Sequence, residues 1–306
     1  MMLKYFIKRI AYAIATVWII STLTFFLMNL VPGGPFLSEK APSPAILKAM
    51  EEKYGLDKPL IVQYKNYLSN VAKLDFGYSI KRKGRLITEI IKEKFPVSAK
   101  VGGIAIITAV VCGIPLGALA ALKRGKWLDK TIMVIATTGI SIPAFVVATS
   151  LMVYFGVKLK ILPTFGLKTP LHYILPVFSL ALYPMAYISR LMRSSLLDVI
   201  GQDYIRTAKA KGLSGFIVLF KHALRNALIP VITYLGPLTA GILTGSFVIE
   251  KIFTIPGLGG EFINSITGRD YPMVMGVTIF YASLIVIMNL VVDILYVIAD
   301  PRIKLK

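Results

Sequence analysis

The feature that most restricts this chain is a succession of apolar blocks that are too long for a soluble core. Residues 11–38 carry no charged side chain, and the same holds for 101–122, 131–157, 173–188 and 227–248. A sixth block, 273–298, is broken only by Asp293. Stretches of about 18 or more apolar residues are membrane-helix candidates, because ~20 residues in a helix span the hydrocarbon layer. In a 306-residue chain that is 56% hydrophobic, three such helices would already exceed what one soluble core can bury. The fold class expected is therefore an all-α membrane protein with six transmembrane helices, at 8–31, 98–122, 131–157, 173–191, 227–249 and 273–299 of a single 1–306 domain.

Charge then sets the orientation expected. The net charge of +20 does not point to nucleic acid, because the Lys and Arg residues cluster at the ends of the apolar blocks, where they act as orientation signals and contacts for anionic membrane lipids. Counting them places 17 in the segments read as inner and five in the two short outer loops, so both termini are expected in the cytoplasm. The first block has a basic flank like a signal peptide, but it is too long and runs into Val31-Pro-Gly-Gly-Pro35 rather than a small-residue cleavage site, so it reads as an uncleaved helix. Residues 36–96 form an extracytoplasmic insert. It holds 12 Lys and Arg, against the positive-inside rule, but that rule weakens for loops of about 60 residues. Helix signals at 43–54 and at 59–73 make the insert a small helical body rather than a linker.

Between the fourth and fifth blocks lies a cytoplasmic segment, 199–225, with a short polar helix inside it. Asp203-Tyr-Ile-Arg-Thr-Ala-Lys-Ala-Lys-Gly212 has an acid that can cap the first free N–H groups and a glycine that can end the helix in the left-handed conformation. Arg206, Lys209 and Lys211 concentrate charge toward the end favoured by the helix dipole. On physics alone this rod could rest on lipid headgroups as well as dock a partner.

Little in the chain suits catalysis. Gly125-Lys126 lacks the upstream glycine of a phosphate loop, and Gly257-Leu-Gly259 reads as a turn. The single cysteine, Cys112, reads as a small packed core residue, and His172 and His222 stand too far apart for a metal site. No serine, cysteine or carboxylate stands beside a plausible partner, so the chain reads as a non-enzyme without a bound cofactor or metal. Asp293, with Asn289 one turn earlier, forms a candidate intramembrane polar pair, favoured as structural over a proton relay. Thr137, Thr138, Ser141, Thr233, Thr239, Thr244 and Ser246 are candidates for lining an aqueous route, although small hydroxyl residues also serve helix packing.

The motifs together resemble one family. Residues 203–213, followed by His222-Ala-Leu-Arg-Asn-Ala-Leu-Ile-Pro230, resemble the coupling segment of peptide-type ABC importer permeases. Val31-Pro-Gly-Gly-Pro-Phe36, Leu74-Asp-Phe-Gly-Tyr-Ser79, Ser141-Ile-Pro-Ala-Phe145, Leu162-Pro-Thr-Phe-Gly166, Glu250-Lys-Ile-Phe253, Ile255-Pro-Gly-Leu-Gly259, Arg269-Asp-Tyr-Pro272 and Asp300-Pro-Arg302 extend the likeness over nearly the whole chain. The long insert fits the first of the two permease subunits. The resemblance implies the type I importer permease fold and a prokaryotic plasma-membrane complex. Its partners would be a second homologous permease, two ABC ATPases that bind ATP and Mg, and an extracytoplasmic peptide-binding protein. The helix Asp203, Tyr204, Ile205, Arg206, Thr207, Ala208, Lys209, Ala210, Lys211 and Gly212 would then couple to an ATPase. The family's general motif, Glu-Ala-Ala-x-x-x-Gly, is altered here to Arg206-Thr207-Ala208 before Gly212, and its later Leu-Pro falls on Leu224-Arg225, so a glutamate-specific contact does not carry over. Oligopeptides or dipeptides are the cargo implied, with nickel complexes or oligosaccharides as alternatives within the family. A rival from another class, an ion-driven secondary transporter, would show more buried charge and repeat symmetry.

Overall fold

A computed structural model describes residues 2–31, 48, 52, 55–82 and 84–299. The helices in chain order are α1 (Met2–Leu30), α2 (Leu60–Ala72), α3 (Ile87–Leu122), α4 (Trp127–Ser141), α5 (Ala144–Leu151), α6 (Ile174–Ile200), α7 (Asp203–Ala210), α8 (Ile229–Leu243), α9 (Phe247–Ile252), α10 (Leu258–Thr267) and α11 (Tyr271–Ala299). A helical stretch, Gly215–Ala227, lies between α7 and α8. The only β pairing among the described residues is an isolated bridge between Tyr78 and Leu86. Among the described residues four helices are long and apolar enough to cross a membrane alone, and up to six spans arise if each of two bent pairs is one span.

Both bends have a cause in proline. In the 131–157 block, α4 and the following helix meet at 101° around Ile142, whose extended backbone (φ −86°, ψ 125°) is the conformation that a following proline favours. Pro143 also lacks the N–H needed to continue the ladder. In the 227–249 block, Gly215–Ala227 meets α8 at 45° just before Pro230, at the start of α8. That block ends early as well, because Thr244, Gly245 and Ser246 separate α8 from α9, with Gly245 at φ 87°.

The chain divides into two compact units. One combines Met1–Val97 with Gly257–Ile287, and the other is built on Ser98–Pro256. In the first, Ile87, Ile90, Ile91, Leu258, Met273 and Val277 form a core against which Phe76, Phe95, Phe262 and Phe280 pack. At its edge Asp270, 2% exposed, gathers the chain before α3. Its carboxylate accepts from the Ser79 hydroxyl and from the backbone N–H groups of Ile80 and Lys81 at 3.1 and 3.3 Å. A buried carboxylate is tolerable only when hydrogen-bonded in this way. The helix signal at 43–54 lies largely outside the described residues, whereas α2 occupies 60–72. Gly257-Leu-Gly259 is not the turn expected from sequence. Gly257 is the residue before α10, and Leu258 and Gly259, both buried, form its first turn.

In the second unit α6 is the hub, packed against α4, α5, α8 and the 215–227 stretch. Its partner on another side is a seam of small residues on α3. Ala105, Ala109, Gly113, Gly117 and Ala120 are all buried and recur about every four positions. A side chain at Gly113 would stand 2.8 Å from the Met185 carbonyl oxygen, and one at Gly117 would collide with that of Ser189. Small residues at such spacing let membrane helices approach closely. Cys112 is not the core residue expected. It is exposed, because one residue from Gly113 is ~100° around the helix and off the packed seam.

Candidate functional site

α7 is held by a narrow contact. Ile205 and Ala208, 1% and 6% exposed, are its buried residues, and Tyr204, Arg206, Thr207, Lys209 and Ala210 face outward. Two buried residues three apart make a single stripe, so the helix lies on the protein surface with its basic side exposed. Its C-terminal end is as the sequence implies. Gly212 takes φ 75°, and its N–H donates to the Lys209 carbonyl at 2.9 Å, closing the helix in the left-handed conformation that glycine adopts at low cost. The N-terminal end differs. Gln202, extended at φ −75° and ψ 151°, is the cap residue and Asp203 is the first helical residue, with no side-chain cap. From there the Asp203 carboxylate faces Arg206 at 3.5 Å and favours the helix through the dipole rather than through a capping bond.

The two matched sequence stretches meet here. Asn226 donates its side-chain N–H to the Tyr204 hydroxyl at 2.7 Å, tying α7 to the 215–227 stretch. Beside it Phe216 and Phe220 pair at 4.4 Å between ring centroids and remain 70% and 55% exposed. With Leu213 and Ile217, also exposed, they form an apolar apron next to the basic helix. Exposed patches of this kind mark protein or membrane contact surfaces.

Between α4 and α6 stands a clamp that sequence reading missed. Arg193 of α6 grips Asp129 of α4 with two parallel bonds, Nε to Oδ1 at 2.6 Å and Nη2 to Oδ2 at 2.8 Å. The Gly125 N–H adds a third bond at 2.9 Å, and the Asp129 side chain is 5% exposed. A bidentate guanidinium–carboxylate pair fixes angle as well as distance. The one available signal was an acid among the four cations of 123–130. A second missed pair joins Ser98 to the buried Glu250 at 2.7 Å.

The hydroxyl candidates are dispersed. Thr137, Thr138 and Ser141 are exposed on α4 and each donates to a carbonyl one turn back. Thr233 does the same on α8, Thr239 is half-buried there, and Thr244 and Ser246 sit in the α8–α9 break. Thr137 alone is joined to another helix, accepting from Arg190 Nη2 at 2.8 Å. Asn289 is exposed on α11, while the Asp293 side chain lies outside the described residues. Among the described residues no cluster of His, Cys, Asp or Glu could hold a metal ion.

Several long apolar helices with a surface-held basic helix among them define a helical membrane protein of the multi-pass class. The family model for the "Binding-protein-dependent transport system inner membrane component" matches residues 113–305, and the model for its N-terminal region matches 2–101. The chain belongs to this family, and it is a multi-pass membrane protein. It is 52% identical over 304 residues to the dipeptide transport system permease protein DppB of Bacillus subtilis, covering 99% of each. It is 46% identical over 305 residues to the oligopeptide transport system permease protein OppB of Haemophilus influenzae, covering 99% of this chain and all of that one. Among solved structures, the inward-facing MetNI methionine ABC transporter aligns over 70% of this chain and 97% of its own, with a TM-score of 0.57 at 16% identity. That likeness identifies the fold as the ABC importer permease type.

Proposed function

We propose that this chain forms half of the translocation pathway of an ATP-driven importer for dipeptides or oligopeptides. It would sit in a prokaryotic plasma membrane with both termini in the cytoplasm, beside a second homologous permease. Two ABC ATPases would bind ATP and Mg, since nothing in the sequence of this chain suits hydrolysis, and an extracytoplasmic binding protein would deliver the peptide. The observation that carries the coupling role is α7 itself: a basic rod closed by Gly212, with Ile205 and Ala208 as its buried residues and the apolar apron of Phe216 and Phe220 beside it.

The geometry supports a lever mechanism. The surface from Asp203 to Gly212 enters a groove on an ATPase and moves with it as ATP closes the pair. The Tyr204–Asn226 bond passes that displacement toward α8, and α6 runs directly into α7 through Gly201 and Gln202. Both helices would therefore shift together, and the translocation route of the complex would alternate between outward and inward access. The shift can be only as large as the difference in ATPase affinity for the two states allows. Thr137, Thr138, Ser141, Thr233, Thr239, Thr244 and Ser246 would supply hydroxyls along that route, and Asn289 with Asp293 a structural polar pair.

Reconstitution with the partner subunits, followed by uptake of labelled dipeptides and longer peptides, tests the reading. ATP-dependent uptake is expected. Uptake by this chain alone driven by a proton gradient would overturn it.

A further inference from the structure

The α6 helix carries a polar stripe that the transport reading has not used. Tyr183, Tyr187 and Arg190 recur at intervals of four and three, which places them on one face. The Tyr183 and Tyr187 rings stack with 6.4 Å between centroids and 17° between planes, and Tyr187 continues to Tyr234 of α8 at 4.3 Å. Tyr183 is 44% exposed and Arg190 is exposed. The guanidinium reaches Thr137 at 2.8 Å, and among the described residues no carboxylate lies within ion-pair distance of it.

Depth makes this arrangement informative. Thr137 stands ten residues into α4, which begins at Trp127 next to the basic turn. Arg190 itself lies inside the candidate membrane span Pro170–Ile200, ten residues before its end, which is about 15 Å along the helix axis. The neighbouring Arg193, by contrast, is neutralised by Asp129 close to the helix start. An uncompensated guanidinium at that depth is costly against lipid and marks a cavity or pathway. The apolar face of α3, with Ile107 and Val111 each 63% exposed, shows what a lipid-compatible surface of this chain looks like.

We propose that Arg190 receives the C-terminal carboxylate of a transiting peptide, with Tyr183, Tyr187 and Tyr234 forming a ladder for its side chains and backbone. Thr137 holds the guanidinium fork toward the route without neutralising it, which leaves its charge for an anionic ligand. Tyr183 lies seven residues from Arg190, about 10 Å along the helix, which is the span of roughly three extended residues. The stripe is thus matched to short peptides held by one end. This inference rests on the peptide reading above.

The test uses the complete importer in proteoliposomes and compares one tripeptide with its C-terminal amide, after correcting for the affinity of the binding protein for each. Wild-type uptake of the free acid decides the peptide reading by itself. If the proposal holds, Arg190→Gln lowers uptake of the acid at least tenfold and abolishes the preference for acid over amide, and Arg190→Lys restores part of it. An unchanged acid-to-amide ratio in Arg190→Gln overturns it. Should that variant fail to assemble, Tyr183→Cys and Tyr187→Cys in a Cys112→Ser background decide the matter. Both are expected to react with a water-soluble thiol reagent and to be protected by the tripeptide acid, while Ile107→Cys does not react. Unreactive cysteines at 183 and 187 overturn the proposal.

Discussion

At the level of single residues, the interactions that set this structure are charges made tolerable by complete pairing. Asp129 has three bonds and a matched guanidinium, and Asp270 gathers a hydroxyl and backbone N–H groups. Removing one partner of a buried pair leaves the other uncompensated, at a cost of about 3–5 kcal/mol. Asp129→Asn is therefore expected to lower the thermal midpoint of the detergent-solubilised complex markedly. The double variant Asp129→Asn with Arg193→Gln should lose much less than the sum of the two single changes, because neither leaves an orphan charge. Additive losses in that cycle would show that the pair has no coupling. Gly117 offers a second residue-scale expectation. Any side chain there meets the Ser189 carbonyl, so Gly117→Val should prevent α3 from docking on α6 and reduce folded yield severalfold, measured by size-exclusion recovery. Gly103, whose added Cβ meets nothing within 4 Å, is the matched control.

At the level of elements, α7 shows which features a sequence carries and which it hides. Its existence, its length and its glycine stop are written in local residue chemistry, and Gly212 at φ 75° is the conformation that this position called for. The N-terminal cap was misplaced by one residue, because Gln202 takes the extended backbone that an aspartate would otherwise supply. The apolar blocks were equally legible, since length and lack of charge are local properties. The 101° break at Pro143 was not, because membrane helices often keep a proline within a continuous span. The Asp129–Arg193 clamp, 64 residues apart, and the meeting of Asp270 with residues 79–81 depend on packing that no local pattern records. Two substitutions test the element as a lever. Gly212→Val forces a β-branched residue into the left-handed region, costing about 1–2 kcal/mol, and should cut stimulation of ATP hydrolysis by loaded binding protein several-fold while the complex still purifies intact. Ile205→Ala removes the larger of two anchors, a loss of about 2–5 kcal/mol, and should release α7 from its seat with the same uncoupled phenotype. Full stimulation in both variants would remove α7 from the coupling mechanism.

At the level of the whole molecule, function depends on which side of the membrane each polar segment meets. A coupling helix must face the compartment that holds ATP, so the orientation implied by the charge count and the role given to α7 stand or fall together. The count, 16 cations against five once Arg190 is assigned to the α6 span, predicts that the turn at 123–126 and the helix at 203–210 share one side and the loop at 158–169 the other. Cysteine labelling can read this directly, since replacing Cys112, the only cysteine, with serine leaves a blank background. In intact cells an impermeant maleimide should modify Lys168→Cys and spare Lys126→Cys and Arg206→Cys, both at exposed positions. After permeabilisation all three should react. Labelling of Arg206→Cys in intact cells would place α7 outside, where no ATPase could reach it, and would remove the mechanical link between nucleotide closure and movement of α6 and α8.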